Sequence, residues 1–521
     1  MAMSKMTTVL AAVALLGCGG GDASPPDAAQ PDAAGPCTPL AGAPAERVAT
    51  TSGTLVGARD AGTWVYLGVP FAAAPVGELR FRAPEPAACA GDLDATELGP
   101  RCPQLEDGAY LGDEDCLQLN VWAPAQGAGP RPVMVWLHGG GNSVGSAADP
   151  LYDGRRLAEA GDAVVVTTNY RLGQLGFLAH ADLDAGSGNF GLLDQIAALR
   201  WVRDNIAAFG GDPGTVTIFG ESAGGRDVCT LLAATGADGL FHRAIVQSGA
   251  CKFLPDRAEA EAQGALVAEA AGCAADAVAC LRAMTAEELV RTLPGDPGAL
   301  GSSPYQPTID GDVLTEQPSA AMAGGRHHPV PFLVGANADE TGVVAPAVPS
   351  VSAYETLVRT QFGTTLGDLV LAQYPAADYP SPRAAYVRLT TDARFVCPSR
   401  EMARAADLGQ SEPVYRYFFQ YRDPSPLGAV HGLDVPFVWG TFDAIDTPTG
   451  PYQPTATDLA VSAAMQQAWT GFARDGAPPA ATGWPVWDAT DPTLVIDASL
   501  STTIGVRTAD CDFWKPIYDA L

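Results

Sequence analysis

An α/β fold with one large, mostly parallel central sheet and helices on both of its faces is predicted for this chain of 521 residues. Three observations predict it. Short, nearly continuous apolar runs recur along the chain, the pattern of strands covered on both faces. A segment of helical periodicity lies between two of these runs, so that strand, helix and strand alternate. Composition stays ordinary from about Cys37 to Leu521, with no second low-complexity linker and no fixed-period repeat, as expected of one folded domain over residues 37–521.

The chain begins MAMSKMTTVLAAVALLGCGGG, with Lys5, a short apolar run and then Leu15-Leu16-Gly17-Cys18. Residues 1–18 read as an export signal. Its end resembles a bacterial lipobox, in which Cys18 becomes the lipidated first residue of the mature chain. Residues 19–36, GGGDASPPDAAQPDAAGP, hold no aromatic or branched apolar residue and read as a disordered tether. The expectation is an exported protein, lipid-anchored at a bacterial cell envelope or otherwise secreted.

Within the domain, PVMVWLH (Pro132–His138), AVVVTTNY (Ala163–Tyr170), TVTIFG (Thr215–Gly220), RAIVQSG (Arg243–Gly249) and PFLVGAN (Pro331–Asn337) are the apolar runs read as strands. Between the second and third, LLDQIAALRWVRDNIAAFGGDP sets Leu193, Ile196, Ala197, Leu199, Val202, Ile206 and Phe209 at helical spacing before a glycine stop. A later strand, PVYRYFFQYRD, ends just before AVHGLDVPFVWG.

Hydrophobic residues make up 47% and charged residues 17%, and no uninterrupted apolar stretch is long enough to span a bilayer. Thirty basic against fifty-nine acidic residues give a formal charge of −29, which repels phosphate backbones and anionic lipid surfaces. Nucleic acid is therefore excluded as a partner, and contact with a membrane is expected only through the lipid anchor. Eleven cysteines, less Cys18, leave ten, an even number compatible with oxidised export.

Gly220-Glu221-Ser222-Ala223-Gly224 directly follows the strand TVTIF and opens a helical segment. This is the context of a nucleophile elbow, a sharp strand-to-helix turn that lifts a serine hydroxyl above the sheet edge. The helix start points amides and a positive dipole end at charge developing there. Upstream, His138-Gly139-Gly140-Gly141 follows its own strand and can present backbone amides as an oxyanion hole.

A serine needs a base, and there are only six histidines. His138 belongs to the glycine loop, His327 and His328 to a polar connection, and His180 and His242 read as structural. His431 remains, in a loop after a strand, free to face the elbow. The carboxylate that orients it is either Asp339 or Glu340, in GANADETG after the strand PFLV.

These residues and their order resemble the type-B carboxylesterases, a family of serine esterases with the α/β-hydrolase fold. The match runs over roughly residues 46–515, through VYLGVPFAAAPVGELRFRAPEP, EDCLQLNVWAP, VMVWLHGGGN, NYRLGQLGFL, GNFGLLDQIAALRWVRDNIAAFGGDP, TIFGESAGG, FHRAIVQSG, VGANADETG, AVHGLDVPFVWG and CDFW. The resemblance implies Ser222 as nucleophile, Glu340 rather than Asp339 as the acid, His431 as base, and the amides of Gly140, Gly141 and Ala223 as oxyanion donors. It also implies a supporting role for Glu221 beside the triad, a small-molecule ester substrate, and a mechanism that needs no metal or cofactor. The family pattern pairs Cys102 with Cys116, Cys273 with Cys280 and Cys397 with Cys511, and the remaining cysteines suggest Cys229 with Cys251 and Cys37 with Cys89.

Departures from the family bear on substrate. Asn142 stands where many relatives carry an aromatic, and is expected to polarise the mouth of the glycine loop. The AACAG segment around Cys89 lacks the tryptophan of choline-binding members, which removes the expected cationic cage. Arg226 and Asp227, at adjacent helix positions, read as structurally paired rather than substrate-contacting. The expected substrates are neutral esters of short or medium acids. A lipase or an esterase dedicated to one natural product is the alternative, and a non-catalytic adhesion protein is disfavoured by the intact Ser222, Glu340 and His431.

Overall fold

The computed structural model describes residues 37–520 apart from 128, 184–185, 274, 294–303, 423–424 and 448–449. The export signal, Cys18 and the tether lie outside the described residues.

An eleven-stranded sheet organises the domain. In chain order its strands are β1 (Ala58–Asp60), β2 (Thr63–Pro70), β3 (Gln118–Pro124), β4 (Arg131–Leu137), β5 (Val164–Thr168), β6 (Gly211–Glu221), β7 (Arg243–Gln247), β8 (Phe332–Asn337), β9 (Val414–Phe419), β10 (Pro492–Ile496) and β11 (Leu500–Ile504). They lie side by side in the order β11-β10-β9-β8-β7-β6-β4-β5-β3-β2-β1. Neighbours from β5 through β10 are parallel. The flanking strands β1, β2, β3 and β11 pair antiparallel. The sheet is thus mixed at both edges, where shorter or more polar strands carry a weaker apolar signal than the central runs.

The central runs are continuous because both faces are covered. Along β4, Val133, Val135 and Leu137 enter one core cluster while Met134 and Trp136 enter the other. The same alternation recurs in β7, with Ala244 and Val246 on one side and Ile245 on the other. Five helices matter below: α1 (Phe190–Asn205), α2 (Ala223–Leu231), α3 (Cys397–Gly409), α4 (Ala456–Asp475) and α5 (Thr508–Ala520). Helix α1 packs Ile196, Leu199 and Val202 on the first face, and α4 packs Met465, Trp469 and Phe472 on the second. The helical segment read from the sequence ends as expected: a 3₁₀ turn, Ile206–Phe209, follows α1 and stops at Gly210, whose φ is 77°.

Chain order also locates a crevice. From β4 the chain moves to β5 on one side, and from β6 it moves to β7 on the other, although β4 and β6 are neighbours. Such a reversal opens a gap at the carboxyl ends of the two strands.

Five disulfides join Cys37–Cys89, Cys102–Cys116, Cys229–Cys251, Cys273–Cys280 and Cys397–Cys511, the pairs expected from the sequence. Cys397–Cys511 spans 114 residues and ties α3 to α5. Closing so long a loop restricts the unfolded chain most. Replacing both cysteines by alanine is expected to lower the unfolding free energy by about 2–5 kcal/mol. Denaturant titration of the oxidised protein checks this; an unchanged midpoint would refute it.

Candidate active site

Ser222 leaves β6 at the crevice and begins α2. Its φ of 57° and ψ of −120° are strained for a residue with a side chain, as expected where a turn is held by its surroundings. Its N–H donates to Gln247 O at 2.9 Å, and its carbonyl accepts from Arg226 N–H at 2.9 Å. The turn is tight because α2 presses on β4: a methyl group on Gly224 would stand 2.0 Å from Leu137 O. Only glycine allows that approach.

The loop after β4 runs against the same serine. A methyl group on Gly139 would lie 3.1 Å from Ser222 Cβ and 2.8 Å from Glu221 Oε2. Gly140, Gly141 and Asn142 follow with φ of 108°, 64° and 54°. The loop and the start of α2, which carry Gly140, Gly141 and Ala223, therefore flank Ser222. Asn142 corrects an expectation. Its left-handed backbone turns the side chain inward, where it is fully buried, accepts from Tyr170 Oη and donates to Asp227 Oδ1 at 3.3 Å. It does not polarise the mouth of the loop.

Of the six histidines, five are engaged elsewhere. His138 is buried, its Nδ1 2.9 Å from Gly139 O, and burial lowers it to about 4, so it stays neutral. His180 lies 3.6 Å from Asp182, His242 accepts Val216 N–H, His327 meets Gln410, and His328 meets Ala234 O. His431 Nδ1 is 2.6 Å from Glu340 Oε2, and His431 N–H donates to Glu340 O. Glu340 is completely buried just past β8, and its other oxygen accepts Asn337 N–H at 2.6 Å. Asp339 turns away: its carboxylate accepts Ala429 N–H and faces Arg422. Geometry thus separates the two acids that the chain places side by side.

The other imidazole nitrogen, Nε2, lies 3.2 Å from Glu221 Oε1 and makes no hydrogen bond among the described residues. Phe395 packs on the ring at 4.9 Å. Burial alone would lower His431, but the carboxylates of Glu221 and Glu340, with the hydrogen bond to Glu340 and the nearby Asp434, outweigh it and raise the imidazole to about 9. Burial raises Glu221 to about 8, against the opposing pull of the imidazolium.

Asp434, three residues after His431, went unread in the sequence. It is fully buried and accepts from Gln247 Nε2 at 2.8 Å, Tyr417 Oη at 2.8 Å and Asn337 Nδ2 at 3.1 Å. An acid within the otherwise apolar GLDVPFVW was its only signal.

Arg226 and Asp227 part company. Asp227 is buried and held by Gln195 Nε2 at 2.6 Å as well as by Asn142, burial raising it to about 6. Arg226 faces a cavity of about 170 Å³ that also contains Ser222. The two make no direct ion pair among the described residues, although each charge acts on the other, and the Arg226 guanidinium donates only to Ala250 O among the described residues. A wider cleft of about 490 Å³, with Trp122, Tyr152 and Asp443 in its walls, includes none of Ser222, Glu340 or His431.

A hydroxyl on a strained turn, an imidazole tethered to a buried carboxylate and two flanking backbone segments can together perform nucleophilic acyl transfer. The comparisons point the same way. A family model described as "Carboxylesterase family" matches residues 44–514. The para-nitrobenzyl esterase of Bacillus subtilis is 37% identical over 471 residues, covering 87% of this chain and 95% of the relative. The fumonisin B1 esterase of Sphingopyxis macrogoltabida is 36% identical, covering 90% and 89%, and a mouse cholinesterase is 33% identical, covering 86% and 82%. A solved thermophilic PNB esterase superposes with a TM-score of 0.79 at 34% identity, over 90% of this chain and 99% of that one. The sheet described above is that of the α/β-hydrolase fold.

The carboxylates around His431 set a pH expectation. A raised imidazole must lose its proton before it can act as a base, so kcat/KM is expected to fall on acidification from a point above the ordinary histidine value of about 6.5. Glu221→Gln removes a negative charge beside Nε2, disfavours the imidazolium and should move that fall about one pH unit or more toward acid. A pH–rate profile unmoved by the substitution would show that Glu221 exerts no such pull.

Proposed function

The chain belongs to the carboxylesterase family and is a serine carboxylesterase, and from that premise we propose that Ser222, His431 and Glu340 are its catalytic triad and that the amides of Gly140, Gly141 and Ala223 form its oxyanion hole. The 2.6 Å contact between His431 Nδ1 and the buried Glu340 supports this reading above all. That contact holds the proton on Nδ1 and leaves the Nε2 lone pair to take the Ser222 proton as substrate aligns the two. The serine oxygen attacks the ester carbonyl, the three amides receive the oxyanion, the alcohol departs with the proton from His431, and water activated by the same imidazole releases the acid. Each oxyanion donor contributes roughly 3 kcal/mol to lowering the barrier. Glu221 stabilises the imidazolium that forms midway, and the alcohol of the substrate is uncharged.

For the amino terminus the proposal is export directed by residues 1–18, a lipid on Cys18 and a tether over residues 19–36, supported by the LLGC sequence and the composition that follows it.

Ser222→Ala should lower hydrolysis of para-nitrophenyl butyrate by at least about 10⁴-fold while the melting temperature stays within a few degrees. Substantial turnover by the purified variant would sink the assignment. In a bacterial host the mature chain should begin with a lipid-modified Cys18 and fractionate with membranes, and Cys18→Ala should abolish the modification. Mass spectrometry finding an unmodified chain that starts beyond residue 18 would overturn the anchor.

A further inference from the structure

The cavity at Ser222 has an unusual lining for so acidic a chain. Arg226, Lys252 and Arg394 contribute to its wall, together with Ser248, Gln306 and Phe395, and no Asp or Glu does. Lys252 is partly engaged, lying over the Phe253 and Tyr518 rings and 3.8 Å from Asp519. Arg226 is the informative one. Its Nη1 is buried without a hydrogen-bond partner and it makes no ion pair at contact distance among the described residues, although the charge of Asp227 reaches it and opposes the effect of burial. Asp227, its neighbour in the chain, is turned away and held by Gln195 and Asn142. The Ser248 hydroxyl, in the same wall, is likewise buried and unpartnered. Its φ of 49° is the other strained serine backbone beside the crevice, with Ser248 N–H donating to Gly335 O at 2.9 Å.

Arg226 is partly buried, and its buried Nη1 has no hydrogen-bond partner and only the charge of Asp227, beyond contact distance, to offset the cost of desolvation; a buried hydroxyl without a partner adds to that cost. Arg226 and Ser248 line one small cavity with the residue proposed to attack the ester, and a guanidinium beside a hydroxyl has the chemistry of a carboxylate receptor. We infer that this cavity is an acyl subsite for a chain ending in a carboxylate, so that the substrate is the half-ester of a short dicarboxylic acid whose free carboxylate docks on Arg226 and Ser248. The inference rests on the reading of Ser222 as nucleophile and narrows the expectation of neutral substrates: the alcohol is neutral, the acyl group is not. A volume of about 170 Å³ limits the acyl chain to a short one.

The chemistry balances without any further reagent. Ser222 Oγ bonds to the ester carbonyl carbon, the bond to the alcohol oxygen breaks, and the alcohol leaves with the proton that His431 took from the serine. Water then adds to the acyl-serine, its proton returns through His431 to Ser222 Oγ, and the released diacid ionises. One half-ester anion and one water become one alcohol, one dicarboxylate dianion and one proton.

Three esters that share the ethanol leaving group separate the possibilities: ethyl hydrogen glutarate, its neutral analogue ethyl glutaramate, and ethyl pentanoate. Hydrolysis is followed by enzymatic assay of released ethanol, at about 0.15 M salt so that the long-range repulsion of anions by the acidic surface is screened. The wild-type kcat/KM for the anionic ester is expected to exceed that for the glutaramate at least tenfold. In Arg226→Gln the ratio should fall to within threefold of unity, and in Arg226→Lys, which keeps the charge, much of it should remain. The ratio is internal to each protein, so a general loss of activity cancels. If Arg226→Gln does not fold, Ser248→Ala and the wild-type ratio decide: Ser248→Ala should lower the ratio severalfold. A wild-type ratio under tenfold, or one unchanged in a folded variant, overturns the inference. Turnover of the two neutral esters alone would overturn it and leave the esterase reading standing, whereas no turnover of any of the three would overturn both.

Discussion

Three carboxylates removed from water, Glu221, Glu340 and Asp434, surround one imidazole. Charges so placed persist only when donors compensate them. Glu340 has the Asn337 amide and His431; Asp434 has Gln247, Tyr417 and the Asn337 side chain. Apart from His431, which lies in a loop, these donors sit in β9 or at the carboxyl ends of β7 and β8, so the register of three neighbouring parallel strands decides whether the acids are satisfied. A slip of one residue would turn each donor to the opposite face. The sheet thus functions as a jig for hydrogen-bond donors, and the two apolar clusters that cover it are what keep the jig rigid.

Global and local charge run in opposite senses here. A net charge of −29 sets a field that decays within about a Debye length in salt, whereas the groups lining the cavity at Ser222 act over a few ångströms in a medium that screens them poorly. The same contrast holds within the site, where the imidazole is flanked by acids on one side while the acyl cavity beyond Ser222 is lined by bases.

Much of this was legible in the sequence, for physical reasons that differ from residue to residue. The elbow shows because Gly224 cannot be anything larger beside Leu137 O, so close packing writes itself directly into residue type. Central strands show because two-sided burial leaves few polar positions in them, and those mostly near the strand ends, such as Gln247 and Asn337. The choice between Asp339 and Glu340 does not show: both follow β8 within three residues, and which one faces His431 depends on a turn that residue type alone does not encode. Arg226 and Asp227 misled for a related reason. Adjacent residues on a helix diverge by about 100°, and their actual partners, Ala250, Gln195 and Asn142, come from three other parts of the chain. Asn142 was misplaced because a positive φ redirects a side chain in a way that its polarity cannot announce. Asp434 was hidden as one acid in an apolar motif, its role visible only when three strand ends converge on it.

The Cys229–Cys251 disulfide joins the helix that starts at Ser222 to the segment that carries Ser248 and Lys252 into the cavity wall. Two walls of one cavity are therefore covalently riveted, and the twenty-one residues between the cysteines form a closed loop that itself carries β7 and Ser248. Only its outer turn is open to engineering: Gly236, Asp238 and Gly239 are exposed while Ala237 between them is held in the core, so surface properties can be altered at the three exposed positions while the rivet conserves the shape of the acyl cavity.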